Sequence, residues 1–141
     1  MTESRSLRIG HEKAFLFLSD EYDGASTRSR HDGQLWAMRT RLRVPQLEAS
    51  ALVHLTDSQD TSLLEFFVEL APQWRGWDGI AEWRAYEGGL TLSCTHDGRG
   101  TISMGTELRD MHLDWVVRAI VPIDAGALEQ LALDVAAFFA P

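Results

Sequence analysis

The chain has 141 residues, of which 45% are hydrophobic and 24% are charged, and its formal net charge at pH 7 is −8. These values are typical of one globular domain spanning residues 1–141, and they exclude a disordered or membranous chain. They also argue against nucleic acid as a partner, because that affinity needs clustered Lys and Arg, whereas residues 51–141 carry 5 basic and 14 acidic side chains.

Apolar runs and cysteine content indicate the compartment. No apolar run approaches the roughly 20 residues that a membrane-spanning helix needs. The first residues lack the apolar core of a signal peptide. Cys94 is the one cysteine, so an internal disulfide is excluded, which fits a reducing environment. We therefore expect a cytoplasmic protein with no membrane partner.

The first half of the chain is predicted to be mostly strands. Residues 1–12 are a candidate for disorder, and residues 13–19 form an apolar run typical of a strand. The polar stretch 20–34 predicts a mobile loop. Alternation in residues 35–44 and 47–55, joined by Pro45 and Gln46, then predicts an antiparallel hairpin.

The hydrophobic period changes to that of a helix in residues 57–73. Leu63, Phe67 and Leu70 fall on one face of this amphipathic segment. Ser62 followed by Glu65 predicts a capping box, with Asp60 as an alternative N-cap. Pro72 predicts the end of the helix, because proline cannot continue the hydrogen-bond ladder.

Strand patterns return in the second half and are followed by a second helix. Short Gly-rich connections predict an antiparallel meander of four strands at residues 82–87, 90–96, 101–109 and 113–121. Residues 124–140 predict the helix, with Asp124 as its N-cap.

The expected fold class is α+β. We expect a single antiparallel sheet of about six to seven strands with two helices packed on one face, in the order β-β-β-α-β-β-β-β-α. The opposite face of such a sheet is left uncovered.

Residues suited to metal binding or catalysis do not form known motifs. The histidines are dispersed, with no closely spaced pair, so we predict no metal and no cofactor; they are His11, His31, His54, His96 and His112. No Gly-x-Ser-x-Gly elbow is present. Cys94 and His96 lie two residues apart, yet Cys94 shares a face with Leu90 and Leu92 and is interpreted as a buried thiol. The sequence thus favours a protein that is not an enzyme.

Three arginines form a basic stripe on one predicted strand. Arg39, Arg41 and Arg43 share a face because side chains alternate along a strand. They are suited to hold an anionic ligand. The alternative is cross-strand pairing with carboxylates such as Glu48 on the hairpin partner.

The segment after the first predicted helix is rich in tryptophan. Trp74, Arg75, Trp77 and Asp78 lie in a Gly-containing turn, and Trp83 follows. Tryptophan and arginine are enriched at binding hot spots, although they also seal the gap between a helix and a sheet. We expect Trp83 and one of the other two tryptophans to be core.

The helix before this turn adds acidic residues. Glu65 and Glu69 are spaced i,i+4, a like-charge pair that mildly destabilises a helix and suits a basic partner or an ordinary solvated face. The candidate partner-binding residues are therefore Glu65, Glu69, Trp74, Arg75, Trp77 and Asp78.

Several of these segments carry a family resemblance. The chain resembles an uncharacterised bacterial domain family related to WapI-type toxin-immunity proteins, through the motifs LEFFVELA (64–71), WRGW (74–77), EW (82–83), LTL (90–92) and HDGRG (96–100), a strand with Trp115, and the helix 124–139. The resemblance covers residues 60–140 and implies a protein that neutralises a toxin. It supplies no defined binding residues.

Three functional hypotheses follow. The first is a non-enzymatic protein-binding module, an immunity-type inhibitor whose partner is a basic protein, its cognate toxin. The second is a small-ligand-binding protein or accessory enzyme, with a pocket on the uncovered sheet face lined by Arg39, Arg41 and Arg43. The third is a structural protein whose exposed aromatic residues make a homodimer.

Overall fold

The computed structural model of the protein describes residues 4–22, 27–28, 30–31, 34–55, 59–112 and 114–140. Its strands, in chain order, are β1 (Ser6–His11), β2 (Ala14–Ser19), β3 (Glu21–Tyr22), β4 (Thr27–Arg28), β5 (Arg30–His31), β6 (Gln34–Leu35), β7 (Ala37–Val44), β8 (Leu47–His54), β9 (Ala81–Arg84), β10 (Leu90–His96), β11 (Thr101–Arg109) and β12 (Val116–Asp124). The helices are α1 (Gln59–Leu70) and α2 (Leu128–Phe139), with short 3-10 turns at Ala71–Gln73, Tyr86–Gly88 and Ala125–Ala127.

The strands form two separate four-stranded antiparallel sheets, so the predicted single sheet is wrong. The first sheet has the order β1-β2-β7-β8 and the second the order β12-β11-β10-β9. Two minor pairs, β3 with β4 and β5 with β6, complete the described strands. Helix α1 connects β8 to β9, and these two strands belong to different sheets.

The error has a physical cause. Alternation shows which residues share a face of a strand, but it carries no information about which strands pair across an intervening helix. The predicted hairpin of β7 and β8 and the meander of β9 to β12 are confirmed, because each depends on a short connection. Helix α1 lies between the hairpin and the meander, so these two groups of strands are not joined by a short connection.

The inner faces of both sheets and the buried sides of both helices form one core. Met38 and Leu42 of the first sheet and Met104 of the second are 0% exposed. Phe67 of α1 and Val135 of α2 are also fully buried and belong to the same continuous cluster. Full burial of one such side chain stabilises the fold by about 1.5–3 kcal/mol, so this shared core dominates the stability.

The first strand is tied to the last helix. β1 lies within the stretch that sequence marked as a candidate for disorder, and it pairs along its whole length with β2. Just before it, the Arg5 guanidinium donates hydrogen bonds to the carbonyl oxygens of Ala137 and Ala140 at the end of α2. The Arg5 backbone N–H donates to Asp20 Oδ1 at 2.8 Å. A cation at this end of a helix satisfies orphan carbonyls and interacts favourably with the helix dipole.

Helix α1 is amphipathic as predicted, but its start differs from the prediction. Helix α1 includes Gln59, so Ser62 lies within the helix and not at its N-cap, and the predicted capping box with Glu65 is wrong. The Ser62 hydroxyl instead accepts a hydrogen bond from Trp83 Nε1 at 2.9 Å. Trp83, which is distant in sequence, therefore bonds the Ser62 oxygen that the sequence pattern had assigned to capping the helix.

Other boundaries shift by a few residues. β12 begins at Val116 and extends to Asp124, later than predicted, and the second helix begins at Leu128 after a 3-10 turn. Asp124 Oδ1 accepts from the Gly126 N–H at 2.9 Å, so Asp124 caps that turn. The predicted mobile loop at 20–34 lies partly outside the described residues.

Gly10 in β1 marks a close approach of the two sheets and gives a stability prediction. Its φ is +116°, and an added Cβ would lie 2.5 Å from the Ala14 carbonyl oxygen and 2.9 Å from Val121 Cγ1 of the second sheet. Gly79, with φ +79°, has nothing within 4 Å of such a Cβ. We expect Gly10→Ala to lower the free energy of unfolding by about 2 kcal/mol more than Gly79→Ala, since only Gly10 adds a clash to the backbone cost. Urea unfolding followed by tryptophan fluorescence measures both; equal losses would contradict the close approach.

Candidate functional site

The turn between α1 and β9 presents an exposed aromatic side chain. Trp74 is 42% exposed, and the Arg75 guanidinium carbon lies 4.9 Å from the centre of its ring. This distance is within the range of a cation–π interaction, which orients both side chains. The pair therefore forms a flat, partly apolar and partly polar unit at the surface.

Glu65 and Glu69 lie on the exposed stripe of α1 that leads to this pair. Val68, between them in sequence, is 51% exposed on the same stripe. The Gln73 side chain donates to the Glu69 carbonyl oxygen at 3.0 Å, so the chain continues from the helix into the turn without a break. We call Glu65, Glu69, Trp74, Arg75 and Asp78, all exposed, the Trp74 surface.

The tryptophans of this region divide between surface and core. Trp83 is 7% exposed, whereas Trp77 is half-buried and packs against the core cluster. The structure thus brings Trp74 to the surface and turns Trp77 inward, although both residues were predicted to contact a partner.

His96 fixes the position of the Trp74 backbone. Its Nδ1 accepts from the Gly98 N–H at 2.8 Å, and its Nε2 lies 2.8 Å from the Trp74 carbonyl oxygen. Since a backbone N–H can only donate and a carbonyl can only accept, Nδ1 acts as the acceptor and Nε2 as the donor in this arrangement. The edge of the ring also packs on Trp77, with centroids 5.2 Å apart. One imidazole therefore joins the β10–β11 turn to the Trp74 turn.

Asp97 holds the backbone of the β10–β11 turn in place. Asp97 Oδ1 accepts from the Arg99 N–H at 2.6 Å and from the Thr101 N–H at 3.1 Å. These two hydrogen bonds to the charged form hold the pKa of the Asp97 carboxyl below its ordinary value. This is an Asx turn, in which an Asp side chain accepts hydrogen bonds from backbone N–H groups a few residues further on.

The three arginines of β7 lie together on the outer face of the first sheet. The Arg41 guanidinium carbon is 5.2 Å from the Phe17 ring centre, and its Nε is 3.8 Å from Glu48 Oε1. The charge of Arg41 is thus already engaged by an aromatic ring and a carboxylate. Arg39 and Arg43 flank it and are exposed.

The described part of the chain holds no cluster of metal ligands, and its cysteine is buried. No group of three or more His, Cys, Asp or Glu side chains there is placed to hold a metal ion. Cys94 is 1% exposed, and burial raises the pKa of its thiol to about 12, so the thiol is protonated at neutral pH. Both nitrogens of His96 contact backbone atoms, so this histidine is not available to activate Cys94.

Sequence reasoning missed a groove on the outer face of the second sheet. It has a volume of about 400 Å³ and is lined by residues of all four strands, among them Thr91, Gly105 and Arg118. The available signal was the polar half of the alternation in β10 to β12, whose side chains point away from the core.

Family comparison places the chain in an uncharacterised group. The model of a family described as "Family of unknown function (DUF6228)" matches residues 15–141. The chain belongs to this family. The match begins within β2, so β1 and Arg5 lie outside the DUF6228 region. Comparison with curated proteins and with solved structures gave no match.

The resemblance to an uncharacterised domain family is thereby confirmed, and its WapI-type part stays a prediction. Separately, no helix within the described ranges is both long and apolar enough to cross a membrane.

Asp97 gives a pH prediction. Because its folded-state pKa is depressed, its contribution to stability is complete above the ordinary carboxyl pKa of 3.8 and is lost as the pH falls through the lower folded-state value. We expect Asp97→Asn to remove this part of the acid dependence, so that its unfolding midpoint changes less than that of wild type between about pH 4 and pH 2. Thermal unfolding at several pH values measures this. Parallel curves for the two proteins would show that the two backbone hydrogen bonds do not favour the carboxylate.

Proposed function

We propose that the protein is a non-enzymatic protein-binding module that captures a basic partner protein through the Trp74 surface. The observation that carries the proposal is an indole that is 42% exposed although its own carbonyl oxygen accepts a hydrogen bond from His96. An aromatic side chain is thus presented to solvent from a backbone that is fixed.

A fixed backbone matters because association costs ordering entropy. Loops that order only on binding lose affinity, while preorganised ones retain it. Trp and Arg are the residue types most often found as energetic anchors of interfaces, and Trp74 and Arg75 stack on each other before any partner arrives. The pair therefore has the composition and the preorganisation of an anchor.

The charge of the surroundings favours a basic partner. Glu65, Glu69 and Asp78 outnumber Arg75 within the Trp74 surface, and the whole chain carries −8. Complementary charge accelerates encounter and disfavours acidic competitors more than it adds affinity. An acidic rim around an aromatic anchor is suited to rapid capture of a cationic protein.

The finer proposal is that the partner is a toxin and the protein its immunity factor, acting in the cytoplasm. Support for it comes from the resemblance of residues 60–140 to an uncharacterised domain family related to WapI-type immunity proteins. An inhibitor of this kind needs a rigid surface and fast association rather than a catalytic centre. The fixed Trp74 backbone supports the first requirement and the acidic surroundings support the second.

Replacing the aromatic anchor tests the proposal. We expect Trp74→Ala to reduce capture of the partner by about 30-fold or more, since anchor truncations cost about 2 kcal/mol or more. The measurement is quantitative mass spectrometry of proteins retained from the native host by immobilised wild type and variant. Trp36→Ala is the matched control, because Trp36 is 37% exposed and lies just before β7 of the first sheet.

A captured protein supports the hypothesis of an immunity factor only if it is basic, arrests growth when expressed alone, and loses that effect when the wild-type chain is co-expressed. Equal retention by Trp74→Ala and Trp36→Ala would exclude the Trp74 surface. Recovery of the chain alone, as an oligomer, would instead favour the homodimer hypothesis.

Charge reversal tests the steering argument separately. We expect Glu65→Lys with Glu69→Lys to slow association with the captured partner about tenfold at low salt, and the difference to shrink as salt screens the charges. Stopped-flow or surface-based kinetics at several salt concentrations measure the rate. The control is Glu12→Lys with Asp114→Lys, two exposed acidic residues in other turns, which changes the net charge by the same amount. Equal rates for both double variants would show that overall charge, not the Trp74 surface, controls capture.

A further inference from the structure

The outer face of the second sheet carries a groove of about 400 Å³, which we call the sheet groove. Two adjacent rows of paired residues cross it. One row runs from Ile120 through Gly105 and Ser93 to Glu82, and the next runs from Arg118 through Glu107 and Thr91 to Arg84. Side chains of these rows point away from the core, so the groove faces solvent.

Gly105 forms the floor of the sheet groove. It lies in the interior of β11, where glycine weakens a strand and often marks a place at which another group approaches the backbone. Its φ is not in the left-handed region, and a Cβ there would lie 3.3 Å from the Ser93 carbonyl oxygen. The backbone conformation therefore does not require glycine, but the missing side chain leaves open space between Ser93 and Ile120, its neighbours in the row.

The Thr91 hydroxyl is the unusual feature of the groove. Five polar side chains are buried among the described residues: Ser19, Asp20, Thr40, Thr91 and Thr106. Four of them have hydrogen bonds, and the two other threonines donate to the carbonyl oxygens of Met38 and Met104. Thr91 is 7% exposed, and within the described ranges its Oγ1 has no partner.

An unpaired buried hydroxyl is unfavourable, because it gives up hydrogen bonds to water without replacement. The β-branched, isosteric valine would fill the same space without this cost. Thr91 lines the groove, but its Oγ1 is itself buried, so a change of the χ1 rotamer is needed to bring the hydroxyl to a ligand there.

Arg118 gives the groove a cation that can meet an anionic group. Glu107 Oε1 lies 2.9 Å from Arg118 Nε and 2.8 Å from its Nη2. The groove is lined by two carboxylates and two guanidinium groups, so its formal charges balance; they belong to Glu82, Glu107, Arg84 and Arg118. The Arg118 side chain is nevertheless 77% exposed, and a guanidinium has five N–H donors, so those that do not contact Glu107 can donate to a ligand.

We propose that the sheet groove binds a small monocarboxylate with an apolar body. The carboxylate accepts a hydrogen bond from the Thr91 hydroxyl and lies near the Arg118 guanidinium, whose planar donors match carboxylate geometry. The apolar body lies on the Gly105 floor against Ile120, which is 63% exposed. This site is separate from the Trp74 surface and goes beyond the proposed capture of a protein.

A titration of the full chain with sodium benzoate, followed by amide chemical shifts, tests the site. We expect saturable shifts at Thr91, Ser93 and Gly105 with a dissociation constant on the order of 1 mM, as suits a ligand of this size in an open groove. Benzamide is the matched uncharged probe and is expected to bind at least tenfold more weakly. Shifts that do not saturate, or equal binding of the two probes, would overturn the proposal.

Thr91→Val separates a ligand-binding role from a structural one. We expect this variant to bind benzoate about tenfold more weakly while its melting temperature stays equal to wild type or rises, since the unsatisfied hydroxyl is removed. Thr95→Val is the control, because Thr95 is exposed on the same face of β10, one row beyond the groove.

The remaining outcomes decide against the site. Unchanged benzoate affinity in Thr91→Val, or a melting temperature lowered by several degrees, would show that the hydroxyl binds no carboxylate or has a structural partner. Trp74→Ala is expected to leave the benzoate titration unchanged, so failure of the partner-capture proposal and failure of this one are distinguishable.

Discussion

Each four-stranded sheet has one apolar face, and neither face is stable in water. The two faces are buried in a common core with α1 and α2, so that residues as distant in sequence as Leu16, Met104 and Val135 are all fully buried in one cluster. Because apolar burial is the dominant favourable term in folding, this shared core determines what remains outside it. The residues available for function are those on the outer faces of the sheets, on the exposed stripe of α1 and in the turns.

The turns acquire defined positions through hydrogen bonds that the core itself does not supply. Asp97 holds the β10–β11 turn, His96 connects that turn to the Trp74 carbonyl oxygen, and Trp77 packs between His96 and the core. The chain of contacts runs from a buried cluster to an exposed indole within a few residues. An aromatic side chain can therefore remain at the surface without making the backbone beneath it mobile, which reduces the entropy lost on binding a partner.

Local patterns predicted the elements well and their assembly poorly. Alternation identified β7, β8 and the later meander, and the helical period identified α1 and α2, since both signals depend only on neighbouring residues. The division into two sheets was missed because pairing across α1 is not a local property. Ser62 was misassigned for a similar reason: its oxygen is used by Trp83, 21 residues away. For the candidate site, composition identified Trp74 and Arg75, but only the structure shows that Trp77 faces inward.

The sheet groove lay beyond sequence reasoning because its main feature is a missing interaction. Thr40, Thr91 and Thr106 look alike in an alternating strand, and all three are buried. The hydroxyls of Thr40 and Thr106 donate to the carbonyl oxygen two residues earlier on the same strand. Thr91 Oγ1 makes no such hydrogen bond. A folded chain that tolerates such an unpaired group gives up stability at that point, and local conflicts of this kind are expected to concentrate where a protein meets a ligand. The two surfaces differ in the same respect. A hydrogen bond within the protein already positions the backbone of the Trp74 surface, whereas the sheet groove contains a hydroxyl that has no partner among the described residues.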